Sequence, residues 1–402
     1  MPGESSWIYR VMKQLKNECN RVRSIQHILS RKKHAALSHA SNEKDTIPKF
    51  GTIFTEHMLQ MEYDKSCGGW QSPKITPFEN INLHPAAKVL HYATTLFEGM
   101  KAYRGVDGKI RLFRPQLNLQ RLNQSAIRAC LPRVDTHLLL NYLEKLINID
   151  EQYIPMAENA SLYIRPTLIG VDPTLGVSSI SKALFYVILS PCGPYFETGS
   201  KPVRLYADGS FVRAWPGGCG NVKMGANYAP SVYVQELAAK KGCQQVLWLF
   251  GENEQLAEVG TMTIFAFYIN DKGERELLTP PLDGTILPSI TRRSLLEIAR
   301  DWNEFNVVEK PITMKEIISM KKQNKLLELF GTGTACVVCP ISEILHKDQL
   351  IRIPTCEHIN PIHQRFLKTL TDIQFGRTQH EWAHIIRPSN MYTEDYRMQL
   401  AY

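Results

Sequence analysis

A glycine-rich segment around one lysine is the feature of this sequence that most restricts its fold. Residues 212–228 read V-R-A-W-P-G-G-C-G-N-V-K-M-G-A-N-Y, so four glycines surround Lys223, and Tyr228 follows five positions later. Glycine lets the backbone turn tightly and lets a flat ligand approach closely. A lysine amine becomes a nucleophile only when its pKa falls from about 10.4, through desolvation or nearby positive charge. The segment is therefore either a solvated surface loop or the centre of a lysine-based site.

Length and composition indicate a globular protein with two domains. The chain has 402 residues, of which 44% are hydrophobic and 21% are charged, and about 150 residues is a usual domain size. No apolar run approaches the roughly 18 residues of a membrane span, so no membrane partner is expected. Residues 1–50 hold ten basic against four acidic side chains, and they supply most of the net charge of +8. The rest of the chain is nearly neutral, which argues against nucleic acid as a partner.

The basic N-terminal extension, residues 1–49, has two interpretations. Basic side chains alternate with apolar ones, serines recur, and no acidic residue stands between Glu18 and Glu43. This composition is typical of an amphipathic mitochondrial transit segment, whereas a secretory signal would need a continuous apolar stretch. We expect a mitochondrial location, and a cytoplasmic protein with a basic extension is the alternative.

The nine cysteines predict no disulfide framework, because their number is odd and they are spread along the chain. They fit a reducing compartment. Only Cys336 and Cys339 have the Cys-x-x-Cys spacing, and neither a second pair nor a histidine stands at zinc spacing. No metal is therefore expected. A buried strand over residues 334–339, carrying two small apolar side chains, is the simplest interpretation of the pair.

Secondary-structure signals alternate along the chain and predict a mixed α/β fold. The Asp107-Gly108 pair predicts a hairpin turn, and a helix is expected to follow with Asn118 as its N-cap. Thr313 and Glu316 have the spacing of a capping box.

Proline and glycine also indicate how the chain is divided. The segment 193–201 predicts a linker between a smaller α/β domain, residues 50–192, and a larger cofactor-binding domain, residues 202–377. Residues 378–402 are expected to form a loosely attached polar tail.

Four distant features supply what a lysine-based cofactor site needs. Arg121, expected in a first helical turn, gains nothing from the helix dipole and would serve an anion. Glu258, just beyond a strand, could hold a protonated ring nitrogen, or it is an ordinary strand-end glutamate. Residues 289–291 precede a helix, whose free amides bind phosphate or are simply capped. The small residues 331–335 can present amides to a carboxylate. Together these are the parts of a pyridoxal-phosphate (PLP) enzyme.

Longer motifs resemble one enzyme family and run in order from about residue 50 to residue 377. They include L-H-Y-A-T-T-L-F-E-G-M-K-A-Y, L-Y-I-R-P-T-L-I-G, G-N-V-K-M-G-A-N-Y, E-V-G-T-M, T-P-P-L-D-G-T-I-L-P and G-T-G-T-A-C-V-V-C-P. On these motifs the chain is identified as a member of the branched-chain amino-acid aminotransferase family of fold-type IV PLP enzymes. The resemblance implies a two-domain, D-amino-acid aminotransferase-like architecture, PLP as cofactor, and a homodimer with partner loops near the pocket.

The resemblance also implies a role for each site residue. Lys223 would form the Schiff base with PLP, Tyr228 would bond its phenolic oxygen, and Glu258 would bond its ring nitrogen. The phosphate and the rest of the cofactor would be held by Arg121, Thr261, Ile290, Thr291 and Thr334. The substrate carboxylate would be bound by Tyr163, Arg165, Thr261 and Ala335, and the apolar pocket would be formed by Phe50, Tyr92, Phe97 and Val177.

The implied reaction moves the amino group of L-leucine, L-isoleucine or L-valine to 2-oxoglutarate, giving branched-chain 2-oxo acids and L-glutamate. Lys223 would act as the general base. One apolar pocket is expected to accept all three amino acids, because a methylene discriminates by only about 1–3 kcal/mol. Replacing Glu258 by alanine is expected to lose rate far more than folding.

Some features of the sequence leave other interpretations open. Cys336 and Cys339 resemble a redox-sensitive pair of animal members of the family. Ala226 and Ser289 stand where relatives often carry glycine, and the two termini match no family motif. The alternatives are a D-amino-acid aminotransferase or aminodeoxychorismate lyase on the same fold, or a redox or interaction protein that uses the Cys336–Cys339 pair. The L-Y-I-R-P and E-V-G-T-M contexts favour the branched-chain enzyme.

Overall fold

A computed structural model of the protein describes residues 50–193 and 201–388. The predictions for residues 1–49, for most of the linker and for the last residues of the tail lie outside this part. The described residues belong to one compact unit, and the division into domains stays a prediction. In the described part no helix is long and apolar enough to cross a membrane.

The described strands are, in chain order, β1 (His57–Asp64), β2 (Gly69–Trp70), β3 (Lys74–Pro77), β4 (Thr95–Phe97), β5 (Met100–Arg104), β6 (Ile110–Phe113), β7 (Ser161–Gly170), β8 (Lys182–Cys192), β9 (Val203–Ala207), β10 (Gln245–Phe250), β11 (Gln255–Val259), β12 (Met262–Ile269), β13 (Arg275–Thr279), β14 (Asn306–Glu309), β15 (Leu326–Gly333), β16 (Val337–His346), β17 (Gln349–Arg352) and β18 (Ala383–Ile385). The α-helices are α1 (Lys88–Tyr92), α2 (Pro115–Arg128), α3 (Thr136–Ile149), α4 (Ser231–Lys240), α5 (Ile290–Trp302), α6 (Met314–Lys322) and α7 (Ile362–Gln374). The mixed α/β prediction is confirmed.

The strands form two sheets of nine. The first has the order β18-β6-β5-β7-β8-β1-β2, with β3 beside β1 and β4 beside β7, and its pairs are antiparallel. Apolar side chains of α2 and α3 cover this sheet, including Leu119, Leu122 and Leu143. The predicted hairpin is confirmed, because β5 and β6 pair with Tyr103 opposite Arg111.

The second sheet has the order β11-β10-β9-β16-β15-β12-β13-β14, with β17 beside β16, and it contains parallel pairs at β9–β10, β9–β16 and β13–β14. Both faces of strand β12 in this sheet are buried. Successive side chains of a strand point to opposite faces. Phe265 and Phe267 pack with α5 and α7 on one face, and Ile264 and Ala266 pack with α6 on the other.

Two local predictions need correction, and one is confirmed. Helix α2 begins at Pro115, not after Asn118, because Arg114 takes a φ of 49° and Pro115 already has a helical φ. Residues 334–339 are not one strand, since β15 ends at Gly333 and β16 starts at Val337. The capping box at Thr313 and Glu316 is present as predicted.

The expected loose attachment of the tail is wrong for its first part. Strand β18 pairs with β6 of the first sheet. Trp382 and Ile386 on either side of it are 8% and 4% exposed, so apolar burial fixes this segment. The guanidinium of Arg114 also lies 4.2 Å from the centre of the Trp382 ring.

Candidate active site

Lys223 is held against helix α2 and strand β4 by its own backbone. Its amide donates to the hydroxyl of Ser125 in α2 at 2.9 Å, and its carbonyl accepts from the amide of Phe97 in β4 at 3.1 Å. The Nζ atom donates to the Tyr228 hydroxyl at 3.1 Å. The short 3-10 helix Gly225–Asn227 brings Tyr228 back toward the lysine. The structure thus brings together the two residues predicted to form the centre of the site.

Two glycines of this segment make room for other parts of the protein. A Cβ atom on Gly225 would come within 2.5 Å of the Thr95 side chain, and one on Gly220 within 2.8 Å of the Gly284 carbonyl. These distances are shorter than any tolerated contact, so both positions need glycine because chain segments approach closely there. From the sequence we expected the glycines to make room for a flat ligand. At these two positions they make room for other parts of the protein instead.

Aromatic rings and a second cation surround the lysine. The Lys223 Nζ atom lies 4.6 Å from the centre of the Phe97 ring, and the guanidinium of Arg165 lies at the same distance from that ring. Arg165 also donates to the Tyr163 hydroxyl at 3.1 Å, and the Phe50 ring lies 4.7 Å from the Tyr163 ring. Four of the residues predicted to bind substrate therefore form one chain of contacts that reaches Lys223 through Phe97.

Glu258 lies inside β11, not beyond a strand as predicted. It is 3% exposed, its Oε2 lies 2.8 Å from Arg213 Nε, and its Oε1 accepts from the Leu287 amide at 2.7 Å. Burial raises the pKa of the Glu258 carboxyl above its ordinary value, while the Arg213 charge opposes this rise. A buried carboxyl with a raised pKa is suited to share a proton with a basic ring nitrogen.

Arg121 is bound to a glutamate that the sequence did not single out. Its Nε and one terminal nitrogen donate to Glu98 at 2.7 and 2.9 Å, and its other terminal nitrogen donates to the Pro288 carbonyl at 2.9 Å. Burial would raise the pKa of Glu98, but the Arg121 charge and hydrogen bonds hold it below its usual value. Arg121 lies in the second turn of α2 and not in the first, because the helix starts earlier than predicted.

Ile290, Thr291 and Thr334, three of the residues predicted to hold the cofactor, line one small cavity, and Arg121 does not. Ile290 and Thr291 are the first residues of α5, where amides lack intrahelical acceptors. Together with Asn118 and Lys101 they line this small cavity. The carbonyl of Thr261 would lie 3.7 Å from a Cβ atom on Gly333. The end of β15, the turn after it, the start of α5 and Thr261 are therefore neighbours.

Comparison with known proteins identifies the family. The family described as Amino-transferase class IV matches residues 95–344. The chain is 54% identical over 335 residues to the cytosolic branched-chain-amino-acid aminotransferase of Mus musculus, covering 83% of this chain and 86% of that protein. It is 52% identical over 334 residues to the mitochondrial enzyme of Bos taurus, covering 83% and 85%. This chain belongs to the branched-chain-amino-acid aminotransferase family.

Solved structures agree with this assignment at the level of the fold. The branched-chain aminotransferase of Thermoproteus uzoniensis superposes with a TM-score of 0.67 and 23% identity, covering 82% of this chain and all of that one. The Escherichia coli enzyme gives 0.66 and 23%, covering 78% and 97%. The fold-type IV prediction is confirmed, and the curated relatives favour the branched-chain enzyme over the alternatives on the same fold.

PLP is the cofactor of this family, and the residues of this chain fit it. Its phosphate, ring nitrogen and phenolic oxygen match the amides at the start of α5, the buried Glu258 and the hydroxyl of Tyr228. The charge balance also fits. Arg121 is paired with Glu98, and Arg213 with Glu258, whereas Lys101, Arg165 and Lys223 have no carboxylate partner within the described ranges. The cleft therefore has positive charge available for a phosphate and a carboxylate.

In the described ranges no group of three His, Cys, Asp or Glu side chains could hold a metal ion.

Two residues predicted to line the substrate pocket, Val177 and Tyr92, lie outside the cluster around Phe97. Val177 is 85% exposed and Tyr92 is 38% exposed. The Tyr92 hydroxyl donates to the Leu175 carbonyl, in a loop where Leu175 is itself 62% exposed. This exposed apolar loop is not part of the pocket built around Phe97 in the same chain.

Proposed function

We propose that this protein transfers the amino group of L-leucine, L-isoleucine or L-valine to 2-oxoglutarate with PLP as cofactor. The 3.1 Å contact between Lys223 Nζ and the Tyr228 hydroxyl carries this proposal, because it places an amine with a proton acceptor among aromatic side chains. The 52–54% identity to curated branched-chain enzymes supports the choice of substrate class.

Different residues of the chain transfer the proton and bind the cofactor. PLP, when bound, supplies the electron sink that makes the α-hydrogen of an amino acid acidic. Lys223 Nζ takes that proton and returns it, as a general base and acid. Tyr228 holds the amine in place, and Glu258 holds a proton on the ring nitrogen with Arg213 fixing its carboxylate. The amides of Ile290 and Thr291 bind the phosphate.

Substrate binding uses an apolar and a cationic group side by side. Phe50, Phe97 and Tyr163 exclude water and contact the methyl groups of a branched side chain. Arg165 is the cation on the same strand as Tyr163, and its Nε is buried without a partner in the described structure, as expected of a donor that awaits a carboxylate.

Steady-state assays test the proposal. The purified enzyme is expected to form glutamate from 2-oxoglutarate with each of the three L-amino acids. D-Leucine is the matched control, since it has the same groups in the opposite configuration and is expected to give no glutamate. Turnover of D-leucine alone would overturn the proposal.

We propose further that the enzyme is a homodimer in which the exposed loop around Leu175 and Val177 completes the partner's pocket. Two large apolar side chains at 62% and 85% exposure are typical of a surface that another chain covers. Val177 then contributes to a pocket as the sequence predicted, but across the subunit boundary.

A complementation experiment tests this arrangement. Lys223→Ala and Val177→Asp homodimers are each expected to be inactive. A heterodimer of the two, purified with different tags, is expected to recover roughly half of the wild-type activity, because one of its two sites is intact. If the loop served its own subunit, every site of the heterodimer would carry one of the changes and no activity would return.

We propose a mitochondrial location on the composition of residues 1–49. The curated relatives include both cytosolic and mitochondrial enzymes. A fluorescent fusion of the full chain is expected in mitochondria, and one lacking residues 1–49 in the cytosol. Cytosolic fluorescence from the full chain would contradict this proposal.

A redox role of Cys336 and Cys339 stays a prediction, and we expect the pair to react slowly. Burial raises the pKa of Cys336 to about 12, although the charge of Lys101 lowers it, and burial raises the pKa of Cys339 as well. Only the thiolate is reactive, so oxidation by peroxide should rise about tenfold per pH unit between pH 7 and 9. Mass spectrometry would measure this rate, with the exposed Cys67 as an internal comparison. A fast, pH-independent rate at Cys336 would contradict the expectation.

A further inference from the structure

Lys101 is a buried lysine that the proposed mechanism does not use. It lies on β5 and is 7% exposed. It stands directly opposite Tyr163 on β7, so its side chain shares a face of the sheet with Tyr163 and Arg165. Its Nζ donates to the Ala335 carbonyl at 2.6 Å, in the turn between β15 and β16.

The electrostatic environment of Lys101 differs from that of the buried arginines. Arg121 and Arg213 each have a buried glutamate, whereas Lys101 has no carboxylate partner among residues 50–193 and 201–388. Burial lowers its pKa, and only the thiols of Cys192 and Cys336 act in the other direction. A buried ammonium is costly unless an anion accompanies it. A bound ligand can supply that anion.

Two anionic groups could lie near this lysine, and the geometry favours one. The cavity that Lys101 lines also touches Thr291 and Thr334, where a phosphate is expected. However, the hydrogen bond that its Nζ makes in the described structure goes to Ala335, and Tyr163 and Arg165 share its face of the sheet. The resemblance assigns these three residues to the substrate carboxylate, and it assigns the phosphate to the start of α5.

We propose that Lys101 is a positioning residue that fixes the turn at residues 333–336 and strengthens binding of the substrate carboxylate through its charge. This inference rests on the proposed aminotransferase function. A purely structural lysine would affect the affinity for every ligand of the site. In this proposal Lys101 affects the affinity only for ligands that carry the carboxylate.

Lys101→Met in the full-length holoenzyme tests the inference. The KM for L-leucine is expected to rise about 10- to 100-fold, the usual effect of losing a hydrogen bond or charge that acts on an ionised group, while kcat changes little. Affinity for 3-methylbutylamine, which is leucine without its carboxylate, should stay unchanged when followed by cofactor absorbance. Lys101→Arg, which keeps the charge, should restore most of the affinity for leucine.

The controls separate the possible outcomes. Lys325→Met removes a lysine that pairs with Asp271 at the surface and should change neither KM nor affinity for the amine. Retained cofactor absorbance in the wild type and in Lys101→Met keeps this test separate from failure of the proposed function. Loss of the cofactor from a folded Lys101→Met protein, or equal losses of affinity for leucine and for the amine, would overturn the inference. If Lys101→Met does not fold, Lys101→Gln, which can still donate to Ala335, carries the same test.

Discussion

Lys223→Ala should lower kcat by about 10²–10⁴-fold, the range for a positioned general acid–base group. Its fold should be unaffected, because the segment is held by backbone contacts to Ser125 and Phe97 that alanine keeps. The side chain contributes one hydrogen bond, to Tyr228. Circular dichroism and thermal unfolding would show the retained fold, and a glutamate-forming assay would show the lost rate.

The matched control for this change is Lys240→Ala, at an exposed position in the last turn of α4. It also removes a lysine side chain but leaves the site untouched, so its kcat should equal that of the wild type. Retention of more than about 1% of kcat by Lys223→Ala would contradict the role of this lysine, since general acid–base groups contribute at least about 10²-fold.

Glu258→Ala should lose both activity and stability, which changes the expectation drawn from the sequence. Alanine leaves the buried Arg213 charge without its partner and the Leu287 amide without an acceptor. Removing one member of a buried ion pair costs about 3–5 kcal/mol of the free energy of unfolding. From the sequence we expected the variant to lose rate much more than it loses stability. That expectation applies better to Glu258→Gln than to Glu258→Ala.

Glu258→Gln keeps the size of the side chain and an oxygen for the Leu287 amide but removes the negative charge. We expect a fall in kcat of about 10²–10³-fold, as for the loss of one preorganised electrostatic group, with a smaller loss of stability than in Glu258→Ala. Glu343→Gln is the control, because Glu343 pairs with Arg204 at 2.6 Å in a partly exposed position, and solvent-exposed pairs contribute about 0–1 kcal/mol. Equal stability of Glu258→Ala and the wild type would contradict the coupling to Arg213.

Two local patterns of the sequence are present in the structure. The hairpin at Asp107-Gly108 and the capping box at Thr313 form as predicted, because neighbouring residues determine both. The start of α2 was missed although Pro115 carried a signal for the first helical position. Strand β11 was missed because five residues, Gln255–Val259, give too short a pattern to distinguish a strand from a loop.

The partners of the charged site residues could not be predicted from spacing. Glu98 and Arg213 reach their partners across elements that tertiary packing brings together, and no local period connects them. Family motifs indicated Lys223, Tyr228 and Glu258, and the first two of these are in contact. Val177 is 85% exposed in this chain, and in the proposed homodimer its burial depends on how two chains assemble, which a single-chain pattern does not contain.

The half-reaction of the holoenzyme with L-leucine, without a 2-oxo acid, tests the account most directly. It should release about one equivalent of 4-methyl-2-oxopentanoate per subunit as the visible absorbance of the cofactor falls, and 2-oxoglutarate should then restore the absorbance with release of L-glutamate. In Lys223→Ala neither change should occur at a comparable rate. Release of no oxo acid by the wild type, or an equal response of Lys223→Ala, would contradict the account.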